Sequence, residues 1–319
     1  GILDKKIKIF DAPKAYLTSS QEPSGTRFGG NAMFNGDNRK RGAMISYVIN
    51  SEKKQENEND KDDKKKEQTR DSLVLKIYSA DAKLIRTFKI KAPEDNGLNR
   101  MYWNLDEKGV LWPSRTVQSS KNEPSGVKVI PGKYKMVLHY QGMKDSAEVV
   151  VATDPRVPID EAVMKEKYDL LKELEKKTDL AYRSVEQLKA SKALTGQVKS
   201  LAEKIDKKLY KELIESTDSI AKKIDRLMDD MLGKEDKRQG ITAAKDPSTI
   251  SHLRKAVSYV GSLKSRPGQT EMQLFENANA KVDPVVGRIN EFYKIEWLEY
   301  RTLVEAAKLS LFKDYEILK

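Results

Sequence analysis

The spacing of apolar residues changes once along this chain, at Thr153-Asp154-Pro155-Arg156-Val157-Pro158. Before that point apolar residues recur at every second position, the period of a strand with one buried face. After it they recur at threes and fours, the period of a helix with one buried stripe. One stretch of backbone cannot satisfy both periods, so the chain divides into a β part and an α part. Two prolines so close together end a strand and stiffen the junction. At 319 residues there is enough chain for a core on each side.

In the β part, Ala43–Asn50 (AMISYVIN) is apolar and β-branched. Ser72–Ser79 (SLVLKIYS) and Leu84–Lys91 (LIRTFKIK) alternate, with Ala80-Asp81-Ala82-Lys83 as the turn between them. Leu98–Leu105, Gly132–Tyr140 and Asp145–Ala152 follow, and Gln141-Gly142-Met143-Lys144 joins the last two. Six strands with such short turns predict an antiparallel sandwich. Trp103 lies among alternating apolar positions and is expected to fill its core. Trp112, beside Gly109 and Pro113, reads either as a loop residue or as a stacking platform for a sugar or base. Ser51–Arg70 holds seven basic, seven acidic and no apolar residues. It has nothing to bury, so a disordered, solvated loop is expected over 51–70.

In the α part, Asp160 reads as an N-cap. Leu171, Leu174, Thr178, Ala181, Val185 and Leu188 form one stripe. Gly196 is expected to end that helix. A second helix carries Val198, Leu201, Ile205, Leu209, Leu213, Ile220, Ile224, Leu227 and Met231. Pro247-Ser248 opens a third, through about Ser265, and Arg266-Pro267-Gly268 stops it. The last runs from near Thr270, bends at Pro284 and ends with Leu309, Phe312 and Tyr315. Short connections between helices predict an up-down bundle.

Composition closes several functional classes. There is no cysteine, which removes thiol catalysis, thiolate metal sites and disulfides. The net charge of +11 divides into +8 before Ile159 and +3 from there on, with lysines scattered among acids and no basic block interleaved with aromatics. Nucleic acid is therefore not the expected partner. No apolar run is long enough for a membrane span. Gly1-Ile2-Leu3-Asp4-Lys5 lacks the apolar core of a signal peptide and reads as a domain boundary within a longer protein.

Catalytic patterns fail one by one. His139 and His252 fall in different parts of the chain, and neither has a second histidine at ligand spacing. Gly126 to Gly132-Lys133-Tyr134 has five intervening residues where a phosphate-binding loop has four. Tyr134 stands in the place of the metal-binding hydroxyl, and a strand follows instead of a helix. The carboxylates fall mostly on expected solvent faces, and there is no nucleophile-elbow or zinc-protease pattern. The expectation is no enzyme, no cofactor, no metal and no catalytic residue, with any small-molecule ligand left unknown.

A longer set of residues does carry a resemblance. It comprises Phe28-Gly29-Gly30-Asn31, Gly42-Ala43-Met44-Ile45-Ser46-Tyr47, Ile77 to Phe88 (IYSADAKLIRTF), Gly97 to Leu105 (GLNRMYWNL), Pro131-Gly132-Lys133-Tyr134 and Asp154-Pro155-Arg156. In this order they resemble the region that follows the β-propeller in bacterial sortilin-like, Asp-box-repeat proteins, common in Bacteroidetes and often labelled glycosyl hydrolases. The part from Ile77 to Tyr134 is also similar to the immunoglobulin-like module of flagellar hook-capping proteins. The resemblance covers Ile7 to about Pro158, and the helices only by type. It implies that Ile9-Phe10-Asp11-Ala12-Pro13 is where the chain leaves a propeller that lies outside it, and it supplies no catalytic residue.

Asp71-Ser72-Leu73, Asp145-Ser146-Ala147 and Asp218-Ser219-Ile220 resemble the O-glycosylation acceptor of exported Bacteroidetes proteins. Ser72, Ser146 and Ser219 are thus candidate modification sites, and an extracytoplasmic location (periplasm, outer-membrane surface or secreted) is expected. The expected fold is multidomain, β then α: an immunoglobulin- or fibronectin-III-like antiparallel β-sandwich followed by an antiparallel helical bundle. Residues 1–41 would be a linker, 42–153 the sandwich, 154–158 a second linker and 159–319 the bundle. The function implied is a non-catalytic structural or protein-interaction scaffold whose partner is a propeller domain or another envelope protein. The alternatives are an accessory region of a glycan- or peptide-cleaving enzyme, or a carbohydrate-binding module using Trp112 and exposed tyrosines.

Overall fold

A computed structural model of the chain describes residues 1–18, 40–50, 72–93, 95–116, 122–157, 159–235 and 247–310. The expected charge loop 51–70, the motif Phe28–Asn31, and Phe312 and Tyr315 lie outside them. After a 3-10 turn at Ile2–Asp4, the described residues form ten strands: β1 (Ile7–Ile9), β2 (Ala15–Leu17), β3 (Ala43–Ile49), β4 (Ser72–Tyr78), β5 (Leu84–Lys91), β6 (Gly97–Trp103), β7 (Asp106–Lys108), β8 (Ser125–Lys128), β9 (Gly132–Tyr140) and β10 (Met143–Thr153). Five helices follow: α1 (Glu161–Asp206), α2 (Lys211–Leu232), α3 (Thr249–Ser262), α4 (Gln269–Lys294) and α5 (Glu296–Ala306). The β-then-α order read from the change of period is the order of the fold.

One sheet has the order β1-β3-β6, a second β2-β10-β9-β4-β5, and β7 pairs with β8. All pairs are antiparallel except β2 with β10, which run parallel. Alternation sends Ile45, Tyr47 and Trp103 from the first sheet and Leu73, Leu75, Met136 and Leu138 from the second into one core. Trp103 has no exposed surface; its indole N–H donates to the Asp106 carbonyl at 2.9 Å, and its ring meets Tyr134 edge-on at 5.4 Å. Between β9 and β10, Gln141 (φ 47°) and Gly142 (φ 77°) are both left-handed, the geometry a two-residue hairpin needs to match strand twist.

The segment read as a linker, 1–41, is in part built into the sheets, which corrects that boundary. β1 adds to β3 in one sheet, and after Pro13 β2 adds to β10 in the other. The crossing is held by the Ile9 N–H on the Asp145 carboxylate (2.9 Å), the Ala12 N–H on the Glu148 carbonyl (2.9 Å) and the Glu148 N–H on the Asp11 carboxylate (2.8 Å). Three-residue strands are too short to show a period, so their pairing is specified by partners far along the chain.

The helix boundaries also differ from expectation. Gly196 does not end a helix: α1 continues to Asp206, and the break comes at 207–210, where the Asp206 carboxylate accepts the N–H groups of Lys208 (2.8 Å) and Leu209 (3.0 Å). A single helical glycine costs only about 1 kcal/mol, and buried Thr195 and Val198 flank it. Leu209, expected on the stripe, sits in the break and is 72% exposed. Pro284 lies inside α4 on its exposed side, where water can reach the carbonyl it leaves unbonded. The interruption falls at Ile295 (φ −110°, ψ −78°), so the expected last helix is two, α4 and α5. Asp160 does cap α1, accepting the Ala162 N–H at 2.9 Å, and Ser248 precedes α3 as read.

The helices share one core of Leu174, Val185, Leu188, Ile224, Met231, Leu253, Val260, Val282 and Ile289. A smaller one holds Val198, Ala202, Leu213, Ile214 and Tyr300. The chain divides into two compact units, 1–110 with 119–169 and 264–266, and 111–118 with 170–263 and 267–319. This division does not follow the Thr153–Pro158 junction: it falls inside α1, and residues 111–118 belong with the helices.

Candidate functional site

The residues singled out by sequence are placed apart. His139 is half-buried on β9, in register with Val74 on one side and Lys144 on the other. Burial, then Lys76 and Lys144, hold its pKa below the ordinary imidazole value, and its buried Nε2 has no hydrogen-bond partner. His252 is half-buried in the first turn of α3. Among the described residues no three His, Asp or Glu side chains gather as a metal-binding group.

Gly126 does not open a phosphate cradle. It faces Gly109 across the β7–β8 pair, where a Cβ on Gly126 would stand 2.7 Å from the Gly109 nitrogen. That pair is pinned by buried Arg86, whose Nη1 donates to the carbonyls of Glu107 (2.7 Å) and Pro124 (2.5 Å) and whose Nη2 donates to that of Glu123 (3.0 Å). Asp106 lies 3.5 Å from the same guanidinium. The planar guanidinium, with its donors held in a fixed fork, spans these three backbone carbonyls at once.

Acids on the helices meet bases on neighbouring helices: Asp218 with Lys199 (2.7 Å), Asp230 with Arg288 (2.8 Å) and Asp283 with Lys177 (2.5 Å). These are surface pairs, each worth at most about 1 kcal/mol. Trp112 packs against the helical core with the Arg254 guanidinium 5.5 Å over its ring. Arg115, three residues on, donates to the Asp229 carboxylate and the Gly233 carbonyl, both at 2.6 Å. Ser72 at the start of β4, Ser146 on β10 and Ser219 on α2 are all exposed. Asp145, preceding Ser146, is committed to the Ile9 N–H and to Lys8 at 3.0 Å.

The arrangement that sequence reading missed is the outer face of the five-stranded sheet. Its register places Lys144, His139, Val74 and Lys89 in one row across β10, β9, β4 and β5. Ser146, Val137, Lys76 and Thr87 form the next. Glu148, Lys135 and Tyr78 form the third, and Lys133 and Lys91 stand beyond the rows. In sequence these lysines fall into three groups, Lys76, Lys89 with Lys91, and Lys133 with Lys135 and Lys144, with acids between the groups. Those acids belong to turns and to other faces, so pairing the strands leaves six lysines and one glutamate on a single surface. The alternation of Lys89 with Lys91 and of Lys133 with Lys135 was the visible signal.

No family model matches the chain, and no curated protein matches it. Among solved structures the chain is similar to one titled pT26-6p, at 11% identity and a TM-score of 0.14, covering 83% of this chain and 46% of that one. The chain thus spans less than half of that solved chain, and a likeness so loose carries no argument about fold or function.

Proposed function

We propose that this chain is a non-catalytic structural or protein-interaction scaffold, in which an immunoglobulin-like β-sandwich is followed by an antiparallel helical bundle. Support for the sandwich comes from topology. The orders β1-β3-β6 and β2-β10-β9-β4-β5 correspond to the two sheets of an immunoglobulin-type domain whose first strand switches sheets. The Tyr134 hydroxyl donates to the Ile130 carbonyl at 2.5 Å near the start of β9, the position and bond of a tyrosine corner.

The observation that carries the scaffold reading is that side chains able to do chemistry are committed to structure. Trp103 is core, Trp112 lies under Arg254, and Arg86 and Asp106 hold the β7–β8 pair. The Trp112 packing also weighs against the carbohydrate-module alternative, which needs that ring free. The accessory-enzyme alternative keeps its chemistry outside this chain. A propeller domain or another envelope protein is the proposed partner, and the proposed setting is extracytoplasmic, within a sortilin-like propeller protein. The exposure of Ser72, Ser146 and Ser219 is compatible with O-glycosylation, and intact mass of the protein from its native host tests it. The test of function is turnover: the purified chain is expected to leave glycan, peptide, ester and phosphate substrates unchanged. Activity that survives purification and is abolished by one Asp, Glu or His substitution would sink the reading.

A further inference from the structure

The lysine-bearing sheet face goes beyond the scaffold reading and stands without it. Lys89, Lys91, Lys133, Lys135 and Lys144 are exposed and Lys76 half-buried, and none has an ion-pair partner on this face among the described residues. Glu148 is the one acid at an outward position of these strands among the described residues. Three strand-to-strand steps from Lys144 to Lys89 span roughly 14 Å, and the run from Lys133 to His139 roughly 20 Å. The charges therefore form a two-dimensional array rather than a track.

Three features choose among anionic partners. A linear polyanion crossing this array would meet one row of lysines and leave the others unpaired, whereas a planar anionic surface meets all of them. Between the lysines stand Val74, Val137, Thr87 and Ser146 with half-buried Tyr78, and the exposed aromatic of the face, Tyr16 on the edge strand β2, lies outside the lysine rows. Single-stranded nucleic acid needs protruding aromatic platforms there. Every cation is lysine and none arginine. Long flexible stems with hydrated point charges can level a twisted sheet against a plane, while forked guanidinium groups would signal recognition of individual phosphates. At the centre of the face Lys144 stands beside His139 in register and Lys76 one row away. We propose that this face docks the protein electrostatically on an anionic lipid bilayer, as a peripheral attachment with no segment inserted.

The experiment is co-sedimentation of the full chain with large unilamellar vesicles at pH 7.5. One set is pure phosphatidylcholine and the other contains 30 mole per cent phosphatidylglycerol, each at about 0.1 M and 0.5 M salt, where screening differs strongly. Binding is expected to the acidic vesicles at low salt only. Each lysine near such a surface is worth roughly fivefold in partitioning. The quadruple variant K89Q/K133Q/K135Q/K144Q should therefore lose binding by more than about a hundredfold while keeping the wild-type thermal midpoint. The control K204Q/K207Q/K208Q/K222Q removes the same net charge from exposed positions on α1, on α2 and in the break between them, and should bind as wild type does. Equal losses in the two variants would reduce the effect to net charge and overturn the proposal. So would no binding to acidic vesicles, or binding to a single-stranded oligonucleotide or an acidic polysaccharide in its place.

Discussion

Tyr134 is held in its protonated form by the core it closes. Burial, with Glu107 and Asp81 adding to it, pushes its phenol up to about 12, against about 10 in an unfolded chain. The unfolded state therefore loses this proton first. The contribution to stability is complete below pH 10 and drains as pH rises through 10 to 12, to a total of about 2–3 kcal/mol. In urea titrations from pH 9 to 12, the wild type is expected to lose that much more unfolding free energy than Tyr134→Phe. Parallel curves for the two would refute the assignment. At neutral pH the variant should be less stable by about 1 kcal/mol, for the lost bond to the Ile130 carbonyl. At this scale sequence was informative where one strand decides the outcome: the alternation around Trp103 was enough to put it in the core. It showed lysines alternating within single strands but not that Lys76, Lys89, Lys135 and Lys144 share one face, because their proximity is a property of register between strands distant in sequence.

Among the elements, the long strands and the starts of α1, α3 and α4 were legible, and the end of α1 and the starts of α2 and α5 were not. Ser72–Tyr78, Leu84–Lys91 and Gly132–Tyr140 each repeat a period of two often enough to be recognised. β1 and β2 are three residues each and repeat nothing. In α1, Gly196 is a breaker by propensity, yet packing on both sides of it carries the helix on for ten more residues to Asp206. A Cβ at Gly196 would meet nothing within 4 Å, and its backbone φ is not left-handed. Gly196→Ala is therefore expected to stabilise the protein by about 0.5–1 kcal/mol, by narrowing the unfolded ensemble and raising helix propensity. Helical melting followed at 222 nm checks this, and an unchanged or lowered midpoint would mean that Gly196 serves a contact the structure lacks.

On the scale of the whole molecule, the change of period at Thr153–Pro158 marks where strands give way to helices. The compact units are divided elsewhere, because the chain passes between them at 110/111, 118/119, 169/170, 263/264 and 266/267. The excursion that begins at 111 was illegible: the stretch has no period, and Trp112 and Arg115 are placed by the partners they find among the helices. It follows that a fragment holding only the helices lacks part of its own core. Trp112→Ala should lower the stability of the helical unit by about 2 kcal/mol, less than a fully buried tryptophan because this one is half-buried. The 222 nm melting midpoint should fall accordingly, and an unaltered midpoint would show the loop to be an ornament.

The parallel pairing of β2 with β10 decides how the first unit would bear tension. Val151, Ala152 and Thr153 lie beside Ala15, Tyr16 and Leu17, with both strands running the same way. Pulling on the chain before β2 and after β10 drags these strands past each other along their length, so the backbone bonds between them are loaded together and in shear. An antiparallel terminal pair would open from one end, bond by bond. Resistance to such a pull is set by the rate of crossing that barrier and not by folding free energy. One of the shortest strands of the fold thus sits where a stretched polypeptide would have to break several bonds at one stroke.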